Sequence, residues 1–150
     1  MTSTATLSAP QSRRLVTSMT RSTPPTILIV EDDLLLLELA TLLLAEQGYE
    51  ILQARSARQA LEILAAQTEP PHLFLFDHDL GPGMTGLELL DQLRARPAYE
   101  DIPAMMASAL LPPCEELEQR SITALQKPYD IDQLVNQVEA VMVAYYKTLV

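Results

Sequence analysis

The 150-residue chain has no tryptophan, a single cysteine, four glycines and two phenylalanines. One thiol, Cys114, cannot close an intramolecular disulfide, which points to a reducing compartment and a cytoplasmic location. Four glycines are far too few for a collagen-like chain. Basic residues are also scarce, ten Lys and Arg against twenty Asp and Glu, for a formal net charge of -10. An acidic surface repels nucleic acid phosphates and anionic lipid, which argues against direct nucleic-acid binding. No apolar run approaches the roughly 18 residues of a membrane span. What remains is ordinary globular usage, 48% hydrophobic and 20% charged, in a length suited to one domain.

Charge is unevenly distributed. Residues 1–25 hold Arg13, Arg14 and Arg21 and no acid, a local +3, so the remainder carries -13. This Ser-, Thr- and Pro-rich stretch has no hydrophobic period and reads as a flexible tail, with a targeting or partner-binding arm as the alternative. The packed domain is expected over residues 26–150.

Within it, short apolar runs alternate with amphipathic segments. Ile27 to Val30 is a buried strand running into Glu31-Asp32-Asp33. Leu34 to Gln47 is a helix that Asp33 can cap and Gly48 stops. A strand over Tyr49 to Ala54 and a helix from N-cap Ser56 to about Gln67 follow. Leu73 to Phe76, fully apolar, again ends at a carboxylate, Asp77. After the Gly81 to Gly86 loop come a helix over Leu87 to Ala95 and an apolar run from Ile102 to Ala107 that ends at Ser108. Pro112-Pro113 interrupts the place of a fourth helix, which is expected to be short or missing. Ile122 to Gln126 forms a weak strand ending at Lys127-Pro128, and Asp130 opens a last helix to about Tyr146.

Five alternating strand–helix units with short connections specify a parallel sheet covered on both faces. Ligands of such sheets bind beyond the carboxyl ends of the strands, at the topological switch point. Glu31, Asp32, Asp33, Asp77, Ser108 and Lys127 all end apolar runs and converge there. Carboxylates about 5 Å apart repel by about 3 kcal/mol per pair at an effective dielectric near 20, so positive charge must sit among them. Lys127 supplies one charge and a divalent cation such as Mg²⁺ two, an arrangement suited to phosphoryl chemistry with a carboxylate nucleophile.

The segments ILIVEDD, LFLFDHDLGPGMTGLELL, IPAMMASA and LQKPYD stand in the order, and nearly the spacing, of the receiver domain of two-component response regulators, and the chain resembles that family from residue 26 to about 147. The resemblance implies a doubly wound, five-stranded α/β fold of flavodoxin-like type. It makes Asp77 the acceptor of a phosphoryl group from a sensor histidine kinase or histidine phosphotransfer protein. It makes Asp32, Asp77, the backbone carbonyl of Asp79 and, through water, Glu31 the holders of Mg²⁺. Ser108 is then the switch hydroxyl, Lys127 the phosphoryl contact, and Lys127–Pro128 a cis peptide candidate. The family catalyses only its own phosphorylation and dephosphorylation.

Three positions depart from the family pattern. Gly81-Pro82-Gly83 lengthens one loop by a residue, Ala124 stands where an aromatic usually follows the switch, and the stretch from Ser108 to Lys127 is short. The chain ends at Val150 directly after the last helix, as expected of a stand-alone receiver that signals by docking to a partner protein. Eight leucines among residues 34 to 44 imply either a deeply covered helix or an apolar docking surface, and the last helix offers a surface for a homodimer. His72 and His78 match no metal spacing and are expected at the surface. Two other readings compete: a pseudo-receiver that only binds partners, and a Mg²⁺-dependent phosphatase of haloacid-dehalogenase type using Asp77-His78-Asp79.

Overall fold

A computed structural model describes residues 23–149, and the expectation for the tail therefore lies almost wholly outside the described residues. The elements alternate as β1 (Thr26–Val30), α1 (Leu34–Glu46), β2 (Glu50–Ala54), α2 (Ala57–Ala66), β3 (Leu73–Phe76), α3 (Gly86–Arg94), β4 (Ala104–Ser108), α4 (Cys114–Gln119), β5 (Ile122–Gln126) and α5 (Ile131–Leu149). The strands form one parallel sheet in the order β2-β1-β3-β4-β5.

Strand side chains alternate between faces, and the apolar runs supply both. Ile27, Ile29, Leu73, Leu75, Met105, Ala107 and Leu125 pack under α1 and α5, against Leu37, Ala40, Leu44, Leu134, Val138 and Met142. Leu28, Val30, Phe74, Phe76, Ala104, Met106 and Ile122 face α2, α3 and α4, against Ala60, Leu64, Leu89, Leu90, Leu93 and Leu117. In α5 Val138 and Met142 are fully buried and Val141 is half-buried.

Helix starts follow local chemistry. Asp33 caps α1 by accepting from the amides of Leu35 and Leu36, and Ser56 caps α2 through the Gln59 amide. At α3, Thr85 and Glu88 exchange side-chain-to-backbone bonds in a capping box. The fourth helix is present but only six residues long, and its cap position is Pro113, which makes no side-chain capping bond. Arg94, at the end of α3, donates to the carbonyls of Ile102 and Arg120 and so ties α3 to the start of β4 and the end of α4.

One open alternative is decided and one expectation changes. The leucine-rich α1 is not deeply covered but keeps an apolar surface: Leu34, Leu35, Leu39 and Leu42 are exposed, and only Leu37, Ala40 and Leu44 are buried. The histidines are half-buried rather than surface residues, and His72 Nδ1 accepts from the Thr26 amide at 3.0 Å beside β1.

Because β1 lies between β2 and β3, the chain reverses its direction of winding between β1 and β3. The crevice at that switch point opens beyond Val30 and Phe76, which are register partners. The residues that follow them are Glu31 and Asp77.

Candidate functional site

Glu31 and Asp77 are carried to the same level by the backbone itself, since the Asp77 amide donates to the Val30 carbonyl at 2.9 Å and extends the β1–β3 ladder by a step. Both are buried, Glu31 with 7% and Asp77 with 8% of its surface exposed. Burying two acids is unfavourable unless they are paired. Lys127, at the end of β5, pairs them: its Nζ donates to Glu31 Oε1 at 2.6 Å and to Asp77 Oδ2 at 2.9 Å. The lysine is placed by its amide, which donates to the Ser108 carbonyl at 2.9 Å, and the following Lys127–Pro128 peptide is cis.

The other oxygen of each carboxylate has a backbone partner. Asp77 Oδ1 accepts from the Asp79 amide at 3.1 Å, and Glu31 Oε2 from the Asp33 amide at 3.2 Å. Asp32 is exposed at the mouth, and oxygens of Glu31, Asp32 and Asp77 all lie within 4.8 Å of one another. Three hard oxygen donors against one ammonium leave net negative charge, and that donor set fits a hard divalent cation such as Mg²⁺.

Not every sequence candidate points into this cluster. Asp79 is exposed and its Oδ1 accepts from the Gly81 amide at 3.2 Å, so its side chain is turned onto the loop. Ser108 is 1% exposed, and its Oγ bonds the amide and carbonyl of Leu110, both at 3.3 Å. Asp33 is a helix cap, as described above. Two residues at the site were missed in the sequence. Arg55 reaches the Asp32 carbonyl at 3.5 Å from the end of β2, and Tyr129 lines the cavity beneath Glu31 and Asp77. Tyr129 sits inside the segment LQKPYD, next to the proline that drew attention, whereas nothing local marks Arg55.

Burial pushes the Glu31 carboxyl up to about 7, with a further upward push from Asp77, against the hydrogen bond and charge of Lys127 and the Asp33 amide. Burial lowers Lys127, but its bonds to Glu31 and Asp77 outweigh that and hold it above the usual lysine range. Glu31 consequently binds a proton more tightly folded than unfolded, so its contribution to stability is full below about 4.5 and is lost as pH rises through about 7. In chelator, thermal melts from about pH 5 to about pH 8 should show wild type losing stability relative to Glu31→Gln as pH rises. Parallel curves for the two proteins would contradict this account.

Comparison with known proteins agrees with this geometry. The response regulator receiver domain family matches residues 27–139. The phosphate regulon transcriptional regulatory protein PhoB of Pseudomonas aeruginosa is 32% identical over 120 residues, 78% of this chain, which spans 51% of PhoB's own length. Sporulation initiation phosphotransferase F of Bacillus subtilis is 32% identical over 114 residues, 75% of this chain and 90% of the relative. The chemotaxis response regulator CheY4 of Vibrio cholerae superposes with a TM-score of 0.70 at 25% identity, covering 79% of this chain and 99% of that one. The phosphatase reading is thereby set aside. Among the described residues no helix is long and apolar enough to cross a membrane. This is a signalling domain rather than a conventional enzyme, and the chain belongs to the response regulator receiver family.

Proposed function

We propose that the chain accepts a phosphoryl group on Asp77 from the phosphohistidine of a sensor histidine kinase or histidine phosphotransfer protein, in the cytoplasm, and signals by docking to a partner protein. The observation that carries this reading is Asp77 itself: a buried carboxylate at the switch point, held by Lys127 and clustered with two further acids. The receiver unit comprises residues 26–150, with residues 1–25 outside it.

In the transfer, an oxygen of Asp77 attacks phosphorus in line, the phosphorus–nitrogen bond to the donor imidazole breaks, and its electron pair leaves with the ring. Lys127 is within bonding distance of the attacking group and follows the charge onto the transferred oxygens. The Ser108 hydroxyl turns from Leu110 to donate to one of them. Asp32, Asp77, the carbonyl of Asp79 and, through water, Glu31 would hold Mg²⁺, which when bound supplies the missing positive charge against three acids. The exposed Leu35, Leu39 and Leu42, spaced i, i+4, i+7 on α1, give an apolar stripe on the helix that starts beside the site, suited to a helical partner.

Intact-protein mass spectrometry after incubation with acetyl phosphate tests the reading. One base-labile, acid-stable phosphoryl adduct is expected with Mg²⁺ and none in chelator. Absence of an adduct from both acetyl phosphate and a phosphohistidine donor would overturn it and leave a pseudo-receiver.

A further inference from the structure

Beneath Asp77 lies a cavity of about 10 Å³ whose lining includes Glu31, Asp77, Leu36, Ala40, Ala107 and Tyr129. That is room for one water at most. A phosphoryl group on Asp77 replaces a single carboxylate charge with about two and adds three oxygens, so Lys127, now shared by Glu31 and Asp77, must redistribute its bonds. Something in the wall has to yield. Ala107 is fixed in the sheet, and neither it nor Ala40 has a side-chain torsion to change. Leu36 and Tyr129, both half-buried, are the large apolar wall groups with freedom to move.

We propose that Tyr129 carries the state of Asp77 to helix α1, acting as a positioning residue between the site and the exposed leucine stripe. This rests on the phosphoacceptor reading above. Tyr129 follows Lys127 by two residues, so a lysine that moves drags its backbone. Its ring packs against the core that α1 and α5 share, and it lines one cavity with Leu36 and Ala40 of α1. Its phenol is raised above the ordinary tyrosine range by burial, with Lys127 opposing and Glu31 and Asp77 adding, so it lies in the field of the three groups whose charges are rearranged. On the opposite face of the sheet, residue 124 is alanine and has no side-chain torsion with which to respond. The far side of α1 presents Leu35, Leu39 and Leu42, so a shift of Tyr129 against Leu36 and Ala40 is delivered to that stripe.

The test uses full-length protein labelled with 3-fluorotyrosine, which reports five sites, in the presence of Mg²⁺ and excess acetyl phosphate. Mass spectrometry on the same sample scores the adduct, and Tyr129→Phe assigns the fluorine signal. The Tyr129 resonance is expected to move by more than its linewidth as the adduct forms, while those of Tyr49 and Tyr99 stay. Amide hydrogen exchange of α1 is expected to change on phosphorylation in wild type, and that change to be lost in Tyr129→Leu even though the adduct still forms. An adduct with a stationary Tyr129 resonance, or an α1 response in Tyr129→Leu equal to wild type, overturns this inference alone. No adduct in wild type overturns the phosphoacceptor reading and this inference with it.

Discussion

Asp77→Asn is expected to form no phosphoryl adduct with acetyl phosphate and Mg²⁺ while keeping the fold. The amide oxygen is a far weaker nucleophile than the carboxylate, so the chemistry is lost at its first bond. The surroundings have little reason to rearrange. The amide oxygen still accepts from the Asp79 amide, and Lys127 keeps its 2.6 Å bond to Glu31. Two opposing effects act on stability. The ion pair from Lys127 to Asp77 at 2.9 Å becomes a bond from the ammonium to a neutral amide oxygen, a loss of about 1 kcal/mol. Removing one of three clustered carboxylates relieves repulsion of up to about 3 kcal/mol per pair before Lys127 and solvent screen it. The variant should therefore melt no lower than wild type in chelator. Intact mass spectrometry and a circular-dichroism melt on the same preparation decide the matter: a wild-type adduct yield in the Asn variant removes Asp77 from its role, and a collapse of the melt would make the loss of adduct uninformative about chemistry.

Legibility in the sequence followed from where side chains were forced to go. A continuous apolar run such as Leu73 to Phe76 has one stable home, a strand covered on both faces, so β1, β3 and β4 and the polar residues that end them were readable from pattern alone. Helix starts were readable wherever a hydroxyl or carboxylate capped them, at Asp33 and Ser56. Boundaries were less so. The strand expected from Ile102 begins at Ala104, because Pro103 has no amide to give a ladder. The helix expected from Leu87 begins at Gly86, since the capping box fixes the turn before it. Covering of α1 stayed open in the sequence because eight leucines say nothing about which of them face the sheet; only Leu37 and Leu44 are buried, with Ala40 between them. Within the site, the residues that bond one another across 96 and 50 positions, Lys127 to Glu31 and to Asp77, were paired by topology together with resemblance. Arg55 and Tyr129 were not, because their places depend on where β2 and the β5–α5 link end in three dimensions.

The sequence marked the glycine at 86 only as the end of a loop, yet adding a methyl there should be strongly damaging. A Cβ built there lies 2.2 Å from the Asp77 carbonyl oxygen, 3.0 Å from its carbonyl carbon and 3.1 Å from His78 Cα. All three are backbone atoms, and the Gly86 amide donates to the His78 carbonyl at 2.9 Å, so the two segments cannot part without losing that bond. Two effects compete in Gly86→Ala. Helix propensity alone favours alanine by at most about 1 kcal/mol, less in the first turn of a helix. The steric conflict displaces either α3 or the end of β3, and a forced backbone shift in a packed core costs about 3 kcal/mol. Sterics win, and the displaced segment is the one that carries Asp77, so adduct formation should slow as stability falls. Gly83→Ala is the contrast: a Cβ there meets nothing within 4 Å, and only its positive φ of 101° opposes substitution, at about 1 to 2 kcal/mol. Urea unfolding of both variants measures the difference. Gly86→Ala should have clearly the lower midpoint; a midpoint at or above that of wild type would mean that propensity rather than the close approach to Asp77 governs the position.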